Sequence, residues 1–194
     1  MPDREVKTIR DLILYQYAKI IAKSALGYTD GLQAKRASYG FIKKTFRQLR
    51  DSEKKWSDIL REDLQFVESE KKCIFCGSME NLTKEHIVPK TLLVNERCPH
   101  CDHIQGIHNL IWTCKSCNSS KKQKGLYTFF SQKYHTKHPS DFLPTLLEKK
   151  YLKTIYLCHQ CAGTLNAPLQ TGTVLDIDSV TEKHTRKKSQ SLLV

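Results

Sequence analysis

No run of apolar residues in this sequence approaches the roughly 20 needed to cross a bilayer. The opening stretch MPDREVKTIRDLILYQYAKII lacks the charged, then apolar, then small-residue order of a secretory signal. A soluble, cytoplasmic protein with no membrane partner is the expectation. Length is also in short supply. At 194 residues the chain suits one ordinary domain, or a smaller one with appendages. A compact unit of that size often needs a metal staple. No cysteine stands alone either. All eight fall in C-x-x-C pairs: Cys73/Cys76, Cys98/Cys101, Cys114/Cys117 and Cys158/Cys161. Without a secretory signal this spacing argues against a disulfide framework. It favours tetrahedral zinc, each pair offering two thiolates to one ion. Beyond these pairs no internal repeat is visible.

Acidic residues are outnumbered, 20 against 32 lysines and arginines, for a formal charge of +12. Eight thiolates on two zinc ions would remove about four of those charges, leaving roughly +8. A basic balance of this size suits a polyanionic partner, through phosphate neutralisation and counterion release. Generic solubility is the blander reading of the same number.

Residues 1–71 read as a helical region. Ile9, Leu12, Ile13, Tyr17 and Ile20 recur at helical spacing, with Gly27 as the stop. Tyr39, Ile42, Phe46, Leu49 and Trp56 form the apolar face of a second helix. Arg36, Lys43, Arg47, Arg50 and Lys54 form its basic stripe, read either as a solvated face or as a phosphate-tracking surface. A break near Asp51-Ser52 precedes a third helix through Glu70. Over residues 72–133 helical periodicity fades and cysteine, histidine, asparagine and glycine become frequent. Residues 134–194 read as a helix capped near Ser140 or Asp141, with Pro144 in its first turn. That helix carries Cys158/Cys161 and stops at Gly163; a short strand at Thr173–Ile177 and a basic tail follow.

The central region holds an ordered set of residues. Cys73/Cys76 come first, then Glu85-His86 with Pro89, then Asn109 before the apolar Leu110-Ile111-Trp112. Cys114/Cys117 close the set, followed by Asn118 and Lys121. This order resembles the zinc-bearing branch of the HNH endonuclease family, in the variant whose last position is asparagine. The resemblance covers about fifty residues, roughly a quarter of the chain.

The resemblance implies an α+β fold: a ββα-metal core with a helical leading region and a zinc-stapled C-terminal helix. It implies hydrolysis of DNA phosphodiester bonds, double-stranded DNA being the expected partner. His86 would be general base, in a suitable pKa range at neutral pH, and Asn109 would hold its imidazole. Glu85 and Asn118 would offer hard oxygens to one magnesium or manganese ion. Helix capping is a competing role for Asn118. Cys73/Cys76 would share one structural zinc with Cys114/Cys117, which leaves Cys98/Cys101 with Cys158/Cys161 for a second; a sequential pairing is the rival. Lys121, Lys122 and Lys124 are candidate phosphate contacts, as are Lys43, Arg47 and Arg50. Tyr127, Phe129 and Phe130 could stack bases or pack a core. A restriction, antiphage-defence or mobile-element setting is expected, and the apolar faces of the leading helices offer a homodimer surface. The competing classes are a zinc-stapled nucleic-acid-binding module without activity and an RNA-directed nuclease.

Overall fold

The structure is a computed structural model that describes residues 3–27, 32–56, 59–90, 102–136 and 139–169. The architecture among the described residues is mixed: helices with one two-stranded antiparallel sheet. Among the described residues no helix is long and apolar enough to cross a membrane. The chain divides into two compact units, one of residues 1–58 with 164–169, the other built on 59–163. The unit boundary thus lies near residue 58, earlier than the expected 71, and residues 134–163 belong with the central region. The expected strand at Thr173–Ile177 and the basic tail lie outside the described residues.

The first unit pairs α1 (Ile9–Leu26) with α2 (Leu32–Arg50). Thr8 caps α1 in a reciprocal capping box with Asp11, and Gly27 ends it at φ +68°. The expected apolar stripe of α1 is buried, but so are Leu14, Ala18, Ala22 and Gln16 on its other sides. Helix α1 is therefore buried nearly all round. Phe46 and Leu49 of α2 are buried, and Phe46 meets Tyr15 edge-on at 5.6 Å. Residues 164–169 run back beside the start of α1, where Leu169 N donates to the Lys7 carbonyl at 2.9 Å and Thr8 bridges Pro168.

The second unit holds α3 (Ile59–Glu68), β1 (Leu82–His86) and the one-turn helix α4 (Asp102–Gln105). A 3-10 turn at Ile107–Asn109 leads into β2 (Leu110–Cys114). Then come α5 (Lys115–Lys121), α6 (Leu126–Lys133) and α7 (Thr145–Cys161). Strand β1 pairs antiparallel with β2, Leu82 opposite Cys114 and His86 opposite Leu110. Helix α7 starts one residue after Pro144, so the proline is its N-cap rather than inside its first turn. Its core face is Leu147, Tyr151, Leu152 and Ile155, all fully buried.

Helices α3 and α7 meet through charges that periodicity would have sent to solvent. Lys150 donates to Asp63 at 2.8 Å and to the Ile107 carbonyl at 3.2 Å. Lys153 is hydrogen-bonded to Glu62. All four side chains are buried. Burial pulls the Lys150 ammonium below the ordinary lysine range, against the raising effect of Asp63. Removing one member of such a pair strands a buried charge. Lys153→Ala is expected to lower the unfolding free energy by about 3–5 kcal/mol. Joint replacement of Lys153 and Glu62 by methionine and leucine should be nearly neutral. Urea unfolding of the two proteins checks both values.

Candidate functional site

The Sγ atoms of Cys73, Cys76, Cys114 and Cys117 lie within 4.8 Å of one another. Cys76 and Cys114 bring their sulfurs to 3.7 Å. A tetrahedron with metal–sulfur bonds of about 2.3 Å has edges of about 3.8 Å, so this set could hold a metal ion such as zinc. These are the four cysteines the resemblance put together. The local turns explain why. Gly77 adopts φ +79°, which lets its N–H return to the Cys73 carbonyl at 2.7 Å and folds the first pair into a knuckle. Cys114 is both the last residue of β2 and the N-cap of α5, and this places Cys117 in the helix's first turn.

The thiols cannot all ionise unaided. Burial raises Cys73, but hydrogen bonds from the Cys114 amide, the Thr113 hydroxyl and the Phe75 amide outweigh it and bring it to about 6. Burial, and then its crowding by the other three sulfurs, pushes Cys117 up to about 12. A divalent cation removes that conflict. Lys133 adds positive charge at 3.6 Å from the Cys117 sulfur while donating to the Phe75 carbonyl at 2.9 Å. Phe75 in turn packs edge-on against Phe129 and Phe130. Tyr127, Phe129 and Phe130 are core residues, not a base-stacking surface.

The cysteine cluster sits at the Leu82/Cys114 end of the hairpin, and Glu85 and His86 lie toward the other end, about 14 Å along the strand at most. Helix α5 leaves Cys114 and runs back toward them. Its last residue, Lys121, reaches Glu85 Oε1 at 3.3 Å and the His86 carbonyl at 3.0 Å. Asn118 lies one turn earlier on α5 and is half-buried. It is the fourth residue of the helix, whose N-cap is Cys114, so the capping role considered for Asn118 is excluded. Glu85 retains 16% side-chain exposure, enough for solvent to reach it. Burial, then the Lys90 and Lys121 charges, hold the His86 imidazole below its ordinary pKa and so neutral at pH 7.

Asn109 corrects one expectation. It is fully buried, and its amide addresses backbone rather than the His86 ring. Its Oδ1 accepts from Val88 N at 2.8 Å, and its Nδ2 donates to the Val88 and Ile104 carbonyls at 2.9 and 3.0 Å. The Asn109 carbonyl also accepts from Ile87 N at 2.9 Å. Asn109 therefore fixes the two residues that follow His86 and extends the hairpin ladder past its last strand pair. Neighbouring His108 packs over Gly106, where a Cβ would come within 2.4 Å of the imidazole. Among the described residues its buried Nε2 has no hydrogen-bond partner.

The lysine cluster also divides. Lys121 is fully buried and held by Glu85 and the His86 carbonyl, so it is not an exposed phosphate contact. Lys122 is exposed and Lys124 half-buried. The signal for Lys121 was available: it lies four residues after the buried Cys117, on the same inward helix face. Lys43, Arg47 and Arg50, in the other unit, are engaged by carboxylates. Glu5 takes Lys43 at 3.0 Å and Arg47 at 2.6 Å, and Arg50 makes its shortest contact, 2.8 Å, with Asp51. Arg47, and then Lys43, hold the Glu5 carboxyl down at about 2.

Cys98 and Cys101 lie outside the described residues, so the second expected zinc set is described only in part. Cys158 is buried and Cys161 exposed, three residues apart on the last turns of α7. Helix α4, which begins with Asp102, packs against α7. Comparison with protein-family models, curated proteins and solved structures finds no match to this chain.

Proposed function

We propose that this chain is a metal-dependent endonuclease of the HNH type, acting on DNA with a ββα-metal core. One observation carries the reading. A knuckle-bound hairpin sets Glu85 and His86 at its far end, and the helix bearing Asn118 folds back onto Glu85. Binding alone requires no such convergence.

In this reading His86, neutral at pH 7, takes the proton from an attacking water. Asn109 is a positioning residue that acts through the backbone at Ile87 and Val88. Glu85 and Asn118 would hold a magnesium or manganese ion. The donor set fits: a carboxylate and an amide offer hard oxygens, and Glu85 has a second oxygen beside the one Lys121 engages. When bound, such an ion neutralises charge on the phosphate and the leaving oxygen. Lys122 and Lys124 are the candidate phosphate contacts that remain on this unit's surface. Zinc in the Cys73/Cys76/Cys114/Cys117 set is structural, since four thiolates leave no open position. A second zinc on Cys98/Cys101 and Cys158/Cys161 agrees with the packing of α4 against α7. An antiphage-defence or mobile-element setting belongs to the same proposal.

The second reading is a zinc-stapled nucleic-acid-binding module that does not cut. It draws on the Lys121 ammonium, which already supplies a cation to Glu85. Incubation with plasmid, single-stranded DNA and RNA, each with magnesium, manganese or EDTA, separates the two. Metal-dependent cleavage of DNA is expected. Binding without cleavage under every condition would favour the second reading, and cleavage of RNA alone would reassign the substrate.

A further inference from the structure

We propose that the cationic face of α2 is a phosphate-binding surface that the chain's own Asp3 and Glu5 occupy in this conformation. The inference rests on the reading of nucleic acid as partner. It concerns the first unit only.

Lys43, Arg47 and Arg50 recur at four and three residues and so share one face of α2. All three converge on a single carboxylate. Lys43 Nζ is 3.0 Å from Glu5 Oε1. Arg47 forks onto both oxygens, Nη2 to Oε1 at 2.6 Å and Nε to Oε2 at 2.9 Å. Arg50 Nη1 reaches Oε2 at 3.5 Å. Asp3 adds a second carboxylate, 3.6 Å from Lys43 and hydrogen-bonded to the Tyr39 hydroxyl. A guanidinium fork over two oxygens, flanked by two further cations, is the donor geometry a phosphodiester takes. Glu5 supplies the same pair of oxygens from within the chain.

A mere strap for residues 3–7 would not need this face. That segment is already held by the Thr8 cap, by buried Val6 and by the Lys7–Leu169 backbone bond. The Glu5 pairs are displaceable, whereas the Asp3 carboxylate, 3% exposed, stays in place. Arg47 is 52% exposed and Glu5 26%, and pairs this open are weak singly and screened by salt. A polyanion presents many phosphates at once and releases counterions as it binds, which one carboxylate cannot match. The occupied face therefore acts as a threshold: isolated anions leave Glu5 in place, and a continuous nucleic-acid backbone displaces it.

The test compares the full chain with Asp3→Asn/Glu5→Gln, using anisotropy of a labelled duplex of roughly 20 base pairs between about 50 and 200 mM salt. The double variant is expected to bind about tenfold more tightly near 100 mM. Its slope of log affinity against log salt should steepen by about two to three, close to one per cation released. Adding Arg47→Gln should remove most of that gain. Glu5→Gln alone, which keeps the Asp3 carboxylate on the Glu5 amide at 3.0 Å, serves if the double variant fails to fold. Wild-type binding with affinity and slope unchanged in the variants overturns the inference and leaves the nucleic-acid reading standing. No binding of duplex, single strand or RNA by any form overturns both.

Discussion

Replacing Cys114 with serine is expected to cost the chain one zinc ion and most of the structure of its second unit. Three roles meet at this residue. It closes β2, caps α5, and brings its sulfur to 3.7 Å from Cys76. Losing one of four thiolates leaves the ion an open coordination position and a much weaker site. The free energy at stake is large. Structural zinc in small domains contributes on the order of 10–16 kcal/mol, comparable to or larger than the roughly 5–15 kcal/mol that separates a whole domain from its unfolded state. The hairpin has only two strands, and a lone hairpin is marginal in water. Elemental analysis should show about one zinc fewer per chain, and far-UV circular dichroism should show loss of helix, with an earlier and broader thermal transition. Cys76 is exposed, so a chelator should reach the wild-type cluster and reproduce the same unfolding. Retention of full zinc and of the wild-type transition in Cys114→Ser would remove the structural-zinc reading.

Local rules carried the sequence as far as they reach. Gly27 ends α1, Arg50 ends α2 just before Ser52 at φ +63°, and α7 ends short of Gly163. Breakers act within a few residues, so one-dimensional reading finds these stops, whereas the cap expected at Ser140 or Asp141 falls instead at Pro144. Paired cysteines are similarly legible, because ligand spacing constrains the turn that bears them. Long-range charge pairing is not. Glu62, Asp63, Lys150 and Lys153 read as surface residues on their own helices and are buried only because each meets its partner some 90 residues away. The basic stripe on α2 reads as open until residues 3–5 are laid against it from about 40 residues upstream. Lys121 repeats the lesson at the candidate site, where its charge suggested solvent and its position relative to Cys117 put it inside.

Asn109 marks a different limit. Its residue type and place in the order of motifs pointed to the strand end, and the structure places it there, fully buried. The partner could not be read, because an amide can address a ring or a peptide equally well. By taking both the N–H and the carbonyl of Val88, the side chain imitates a strand neighbour. Precision at Glu85-His86 then comes from backbone geometry rather than from a bond to the imidazole.

That distinction separates the two substitutions with most to say about mechanism. His86→Ala is expected to lower metal-dependent DNA cleavage by about 10²–10⁴-fold. Zinc content and the unfolding transition should stay close to wild type, because the ring is only half-buried and the backbone bond from Lys121 goes to its carbonyl. Asn109→Ala should lose activity for another reason. It removes three hydrogen bonds at a fully buried position and leaves the Val88 N–H, the Val88 carbonyl and the Ile104 carbonyl short of that partner. At about 1–3 kcal/mol for each stranded group, a loss of at least about 3 kcal/mol is expected. Denaturant unfolding and cleavage rate measured on both proteins give a two-way test. If His86→Ala cuts at the wild-type rate, proton abstraction by this imidazole is wrong even if the chain is a nuclease. If Asn109→Ala loses activity at unchanged stability, its amide works on the reacting groups directly, and the backbone-positioning role fails.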